Sequence, residues 1–175
     1  MLSATRPVRS LLAAIFILMG GAGFMGSLLS LRLEAAGAGA LAIGLLGAAY
    51  FTGLTVGSLR APKAIRRVGH IRAFAAFVSL LSASTLAYSL HQSLPLWTVL
   101  RLVDGLCVAG VYVCLESWLN ERAEPAARGS VLAAYMIALY GGQALGQYLL
   151  NLGDAGPATP FLAASILISL AVIPV

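Results

Sequence analysis

Two oppositely charged residues interrupt a long apolar stretch of the sequence. Arg101 and Asp104 stand within residues 96–118, where the only other charge is Glu116 near the far end. On a helix, an i, i+3 spacing places two side chains at neighbouring positions of one face. Charges inside an apolar span are costly unless they pair or face a wet cavity. The pattern therefore indicates either a local ion pair or a cavity whose carboxylates bind a cation or a proton.

The polar residues of this segment form one stripe. At about 100° per residue, they fall within about a third of the helix circumference. The stripe consists of Arg101, Asp104, Gly105, Tyr112 and Glu116. In the alternative interpretation, the Arg101–Asp104 ion pair lies near the outer interface and Glu116 lies in the inner headgroup layer. A poorly hydrated site favours the neutral form of Asp104 and a nearby guanidinium favours the charged form, so the two effects oppose each other.

A second polar stripe follows in residues 130–151. Tyr140, Gln143, Gln147 and Asn151 are spaced i, i+3, i+7 and i+11, which again corresponds to one helix face. Such side chains hydrogen-bond a neutral or zwitterionic solute, and they also join helices inside lipid. Both interpretations stay open at this point.

The elements that carry these stripes are expected to lie in a membrane. The 175-residue chain is 60% hydrophobic and 10% charged, whereas a soluble domain carries about a quarter charged residues. The formal charge of +5 comes from basic residues in short clusters between apolar runs. That distribution is typical of segments beside an anionic membrane face and argues against a nucleic-acid partner.

Six segments approach the length of about 20 mostly apolar residues that a membrane-spanning helix needs. They predict an all-α membrane protein with six transmembrane helices, at residues 11–31, 39–59, 73–92, 96–118, 130–151 and 158–175. The first segment is uncharged from Ser10 to Leu31. It exceeds the apolar region of about 7–15 residues found in signal peptides, so we predict an uncleaved span.

The basic residues also predict the orientation. With the N-terminus in the cytoplasm, the outer connectors hold only Arg32, while nine basic residues lie inside. The nine are Arg6, Arg9, Arg60, Lys63, Arg66, Arg67, Arg72, Arg122 and Arg128. This excess indicates a cytoplasmic N-terminus. A chain rich in alanine and arginine and poor in lysine favours a bacterial inner membrane.

Small residues recur at four-residue spacing, which lets helix backbones approach closely inside lipid. The pairs are Gly53 and Gly57, Gly105 and Ala109, and Gly142 and Gly146. They predict a compact helical bundle.

Motifs for enzymatic chemistry are absent from the sequence. It contains no G-x-x-x-x-G-K-[ST] and no G-x-S-x-G, and His70 and His91 fall beside connectors predicted on opposite membrane sides. We therefore expect no ATP-driven step, no serine–histidine enzyme and no histidine-ligated metal. No cofactor is expected either.

The connector after the second segment resembles the loop between helices two and three of the major facilitator superfamily. In that family the loop forms charged contacts that latch the cytoplasmic side. The positions that fit are Gly57, Lys63, Arg67 and Gly69, while Arg66 stands where the family has Asp and Pro62 where glycine is usual. The resemblance implies a cytoplasmic gating loop, although the family's carboxylate partner is missing.

Two further stretches are similar to the same family. Arg101-x-x-x-Gly105 resembles the helix-four motif associated with proton coupling, with Asp104 where Gln is common. Residues 120–122 and 128–129 resemble the basic, glycine-ended start of helix five. Residues 115–120 look like the YcaD-like subgroup of the superfamily. The family's helix-five antiporter motif is not reproduced, so drug antiport is not implied.

Together these resemblances imply that residues 1–175 are the N-terminal six-helix half of such a transporter. The implied function is secondary active transport of an unidentified small solute by alternating access. Arg101 and Asp104 are the candidates for proton coupling or charge relay, and the candidate solute contacts are Tyr112, Glu116, Gln143 and Gln147.

The chain ends at Val175 inside an apolar run. We expect a truncated sequence that lacks helices seven to twelve, whose partners are the lipid bilayer, the missing C-terminal half and the solute. The alternative is a six-span scaffold or sensor that transports nothing, whose polar stripes only hold helices together.

Overall fold

The computed structural model describes residues 8–122 and 125–175. It describes side chains for all of these residues except 153–155. Within these ranges the chain is helical and contains no strand, which confirms the all-α prediction for them. Arg6 lies outside the described residues. The helices are α1 (Arg9–Ala22), α2 (Met25–Ala35), α3 (Ala40–Val68), α4 (His70–Ala87), α5 (Leu94–Arg122), α6 (Arg128–Gln147) and α7 (Thr159–Leu170), with 3-10 turns at Pro125–Ala127 and Tyr148–Ala155.

Four helical segments in the described ranges are long and apolar enough to cross a membrane. They are Arg9–Ala35, Ala40–Val68, His70–Ala87 and Leu94–Arg122. The helix α6 is 20 residues long, but Gln143 and Gln147 lower its hydropathy, and α7 is apolar but shorter. Within residues 8–122 and 125–175, the structure therefore provides four helices of spanning character where the sequence predicts six.

The loop predicted after the second span is wrong, because most of that connector is helical. Instead of ending at residue 59, α3 continues through the basic segment to Val68. A helix leaves the apolar layer without unwinding, because Arg and Lys are good helix formers and favour a helix C-terminus. The break is confined to Gly69, whose φ of +85° suits glycine. Accordingly α4 begins at His70, three residues before its predicted start.

The first predicted span is interrupted between α1 and α2. The backbone N–H of Gly23 still donates to the carbonyl of Met19 at 2.8 Å, and that of Leu28 donates to Phe24 at 3.0 Å. A Cβ on Gly23 would lie 2.9 Å from the Cα of Gln143 in α6. The interruption therefore lies where α6 packs directly against the backbone of the first span.

Helix pairing follows the small residues. The helix α3 packs against α5, α1 packs against α6 and α7, and α4 packs against α5 and α7. A Cβ on Gly57 would lie 2.6 Å from the carbonyl oxygen of Leu106, and one on Gly146 would lie 2.6 Å from that of Gly20. Only glycine permits backbones to approach this closely. The α3–α5 and α1–α6 pairs therefore pack backbone against backbone.

Candidate functional site

A cavity of about 200 Å³ lies among the first six helices. Residues from α1 to α6 line it, and the break between α1 and α2 forms part of its wall. Its polar lining consists of Tyr50, Thr85, Arg101, Asp104, Tyr112 and Gln143. The structure therefore brings four of the sequence-predicted site residues together: Arg101, Asp104, Tyr112 and Gln143.

Asp104 is buried and both of its carboxylate oxygens are occupied. The hydroxyl of Ser84 donates to Oδ1 at 2.6 Å, and the hydroxyl of Tyr88 donates to Oδ2 at 2.7 Å. The Arg101 Nη1 atom lies 3.7 Å from Oδ2, which is an ion-pair contact but too long for a good hydrogen bond. The closest partners of Asp104 therefore come from the α4 segment rather than from its neighbour on α5.

Arg101 is held by an aromatic ring. Its guanidinium carbon lies 4.1 Å from the centroid of the Tyr50 ring, within the range of a cation–π contact. A Cβ placed on Gly26 would lie 3.8 Å from Arg101 Nη2, so the missing side chain leaves space beside the guanidinium. Stacking uses the flat face of the group and leaves its N–H edge available. The arginine therefore presents donors to the cavity.

The remaining polar lining is weakly engaged. Tyr112 donates to the sulfur of Met19 at 3.4 Å, and the Gln143 amide approaches the same sulfur at 3.9 Å. A thioether is a weak acceptor, so both groups stay available to a better one. Thr85 is 1% exposed, and its buried hydroxyl has no hydrogen-bond partner among the described residues.

Two predicted solute contacts lie outside this cavity. Glu116 accepts a hydrogen bond from Tyr135 at 3.2 Å and lines a separate depression with Asn120 and Arg128. Although it shares the angular stripe of Asp104, twelve residues of rise separate the two by about 18 Å along the helix. Gln147 is exposed, and its amide donates to the carbonyl of Gly23 at 3.2 Å. The sequence stripe therefore extends beyond the cavity.

The predicted gating residues lie along the end of α3. Gly57 is buried against α5, Lys63 and Arg67 are exposed, and Gly69 forms the break before α4. They therefore form a helical extension with a basic surface, not an irregular loop.

Sequence reasoning missed Ser84 and Tyr88. Both are polar residues at i, i+4 in the third predicted span, and together with Thr85 they mark a polar side of that helix. The signal was present, but it is weaker than a charge because hydroxyl groups are common inside membrane helices.

We expect Tyr88→Phe to lower the free energy of unfolding by about 1.5–3 kcal/mol, the value of a hydrogen bond to a charged group. The phenyl ring keeps its packing between Trp97 and Phe161, whose ring centroids lie 5.8 and 5.9 Å from that of Tyr88. Thermal unfolding in detergent measures the change. Tyr148→Phe is the control, because Tyr148 is 72% exposed. Equal melting temperatures for the two variants would contradict a bond between Tyr88 and Asp104.

Comparisons with known proteins agree with these observations. The sequence model of the Major Facilitator Superfamily matches residues 11–175. The MFS-type transporter YcaD of Salmonella enteritidis PT4 is 31% identical over 147 residues, which cover 84% of this chain and 38% of that protein. YcaD of Escherichia coli O45:K1 gives the same identity and coverage. YcaD of Salmonella paratyphi A is 30% identical over 151 residues, or 86% of this chain and 40% of that protein.

The match to a longer protein is partial. The chain spans about two fifths of the length of these curated relatives. The family match covers nearly all of the chain, and four of the described helical segments are apolar and long enough to cross a membrane. This chain belongs to the major facilitator superfamily of membrane transporters.

Proposed function

We propose that residues 1–175 form the N-terminal six-helix half of a secondary transporter that moves a small solute by alternating access. In this arrangement α1 and α2 together form the first span, α3 to α5 form the next three, and α6 and α7 complete the six. An opposing C-terminal half closes the cavity from the other side. The partial coverage of longer relatives supports this division.

We propose that the chain lies in a bacterial inner membrane with its N-terminus in the cytoplasm, and the position of the basic residues supports this orientation. The start of α4 meets the end of α5, where His70 Nε2 lies 3.0 Å from the Ser117 hydroxyl. Residues from the α3–α4 break, including Arg72, line one depression with Arg122. The basic clusters of two connectors thus gather at one end of the bundle, as expected for a cytoplasmic face.

The cavity around Arg101 and Asp104 carries the proposal. Asp104 lies about 15 Å along the helix axis from the start of α5. A buried acid is therefore located deep within a helix of spanning length. We propose that Asp104 takes up and releases the coupled proton, and that the positive charge of Arg101 takes part in the coupling or in a charge relay. Tyr112 and Gln143 contact the solute in the cavity, and Glu116 and Gln147 contact it along its path.

The segment at the end of α3 supports a gating role in the same mechanism. Lys63 and Arg67 are exposed on the helical extension that precedes Gly69. We propose that these cations contact the opposing half when the cytoplasmic side closes, with Gly57 holding the extension against α5.

Asp104→Asn tests the coupling role. We expect the complete transporter in proteoliposomes to change its uptake rate by up to about tenfold per pH unit, the limit for one coupled proton. The asparagine variant, which matches the carboxyl in size but cannot titrate, is expected to lose that dependence. Glu34→Gln, at an exposed acid in the last turn of α2, is the control. An unchanged pH profile in Asp104→Asn would remove Asp104 from the coupling role.

A further inference from the structure

The two charged groups in the cavity, Asp104 and Arg101, differ in their contacts with the protein. Both oxygens of Asp104 accept short hydrogen bonds from Ser84 and Tyr88. Arg101 has a longer contact of 3.7 Å to the same carboxylate and the ring of Tyr50 beneath it, and the Tyr88 hydroxyl lies near its guanidinium. Gly26 leaves room beside the guanidinium edge. The cavity therefore offers a ligand an open cationic edge and a carboxyl group that already has its donors.

The charge of the cavity depends on the proton at Asp104. When Asp104 is ionised, its charge balances that of Arg101. When Asp104 is protonated, the guanidinium is left without a counterion in a poorly hydrated site, which is unfavourable. An anion at the open edge restores the balance. A proton on Asp104 and an anion at Arg101 therefore favour each other's binding.

We propose that the solute of this transporter carries a single carboxylate, which binds the Arg101 edge together with a proton on Asp104. This inference rests on the proposed transport function and specifies its substrate class. The planar guanidinium fork matches the two oxygens of a carboxylate. A monoanion fits because the protonated site has one uncompensated positive charge, whereas a dianion would leave a negative charge unpaired.

The hydrogen bonds around Asp104 permit the neutral state. A protonated carboxyl group gives up one acceptor position, so one of its two hydroxyl donors needs another partner. The Ser84 hydroxyl lies 3.5 Å from the carbonyl oxygen of Leu100, which can serve as that partner. Proton uptake therefore needs no rearrangement of the helices.

Other groups near Asp104 do not compete for the proton at neutral pH. In the described part of the chain, α1, α2 and α6 contribute no titratable side chain to the cavity lining. The charged or titratable groups that face Asp104 or line the same cavity are Tyr50 from α3, Tyr88 from the end of α4, and Arg101, Cys107 and Tyr112 from α5. The ordinary pKa values of such groups lie at about 8.5 or above.

Calorimetric titration of the complete transporter in lipid nanodiscs tests the proposal. The probes are acetate, lactate and benzoate, with acetamide, lactamide and benzamide as neutral controls of matched shape. We expect at least one carboxylate to bind and its amide to bind at least about tenfold more weakly. Its affinity should rise by up to about tenfold per unit as the pH falls from 8 to 6, with about one proton taken up per anion.

Separate variants test the proton on Asp104 and the ligand position beside Arg101. Asp104→Asn should still bind the carboxylate, but with the same affinity at pH 6 and pH 8 and without proton uptake. Gly26→Ala fills the space beside the guanidinium at an ordinary contact distance, so it should fold normally and bind the carboxylate at least about fivefold more weakly. Gly44→Ala, at a glycine with open space around it, is the control and should bind as the wild type does.

Three results would overturn the proposal: amides that bind as tightly as carboxylates, wild-type affinity that is equal at pH 6 and 8, or no binding of any carboxylate up to about 100 mM. Uptake of a neutral or cationic solute that depends on Asp104 and pH would also overturn it, while leaving the proposed transport function intact. Conversely, carboxylate binding as expected, without any uptake by the complete transporter, would count against the transport function alone.

Discussion

Gly53→Ala is expected to lower the melting temperature strongly, although alanine is the better helix former by about 1 kcal/mol. A Cβ at this position would overlap the carbonyl oxygen of Leu102 in α5 and lie 2.9 Å from the backbone nitrogen of Leu106. Backbone atoms cannot rotate away as a side chain does, so α3 and α5 must separate. We expect a loss of about 3 kcal/mol, the upper part of the range for overpacking.

A matched control lies on the same helix. Gly47 has open space around the position of an added Cβ, so Gly47→Ala should leave stability unchanged or raise it slightly. Thermal unfolding of both variants in the same detergent isolates the effect of the clash from that of helix propensity. Equal melting temperatures for Gly53→Ala and Gly47→Ala would show that α3 and α5 do not pack as described.

The close packing of these helices also builds the site. A Cβ on Gly105 would overlap the carbonyl oxygen of Tyr50, and the Tyr50 ring supports Arg101. Separation of α3 from α5 would therefore withdraw the ring from the guanidinium. For this reason we expect Gly53→Ala to weaken carboxylate binding as well as stability.

The second large effect is expected from unpairing the two charges. Arg101→Leu and Asp104→Leu should each lower the free energy of unfolding by about 3 kcal/mol, because each leaves a buried charge without its partner. The double variant removes both charges, so it should be no less stable than Asp104→Leu alone. Unfolding of the three variants under one set of conditions gives the coupling energy. Losses that simply add in the double variant would contradict an interaction between Arg101 and Asp104.

Part of this site could be predicted from the sequence because it depends on one helix. The i, i+3 spacing and helical periodicity are enough to place Arg101 and Asp104 on one face. The partners from α4 could not be predicted in the same way, since the face of α4 that meets α5 is set by packing among helices. Ser84 and Tyr88 can be identified as the hydrogen-bond partners of Asp104 only from the packing of α4 against α5.

Helix limits show a second reason why sequence and structure differ. Hydropathy reports where apolar side chains end, which for α3 is near residue 59, whereas the backbone stays helical to Val68. Helical periodicity likewise gives the angular position of a side chain around the helix but not its position along the helix axis. Glu116 has the angle of the cavity stripe, yet it lies about 18 Å along the helix from Asp104, and it accepts its hydrogen bond from Tyr135.

Proton movement across proteoliposomes of the complete transporter most directly tests whether Asp104 carries a proton with the solute. With a pH-sensitive dye in the lumen, an inward solute gradient is expected to change the luminal pH in wild-type vesicles. In Asp104→Asn vesicles the solute should move without that change. Solute flux that leaves the luminal pH constant in the wild type, or that changes it equally in both proteins, would contradict the proposed role of Asp104.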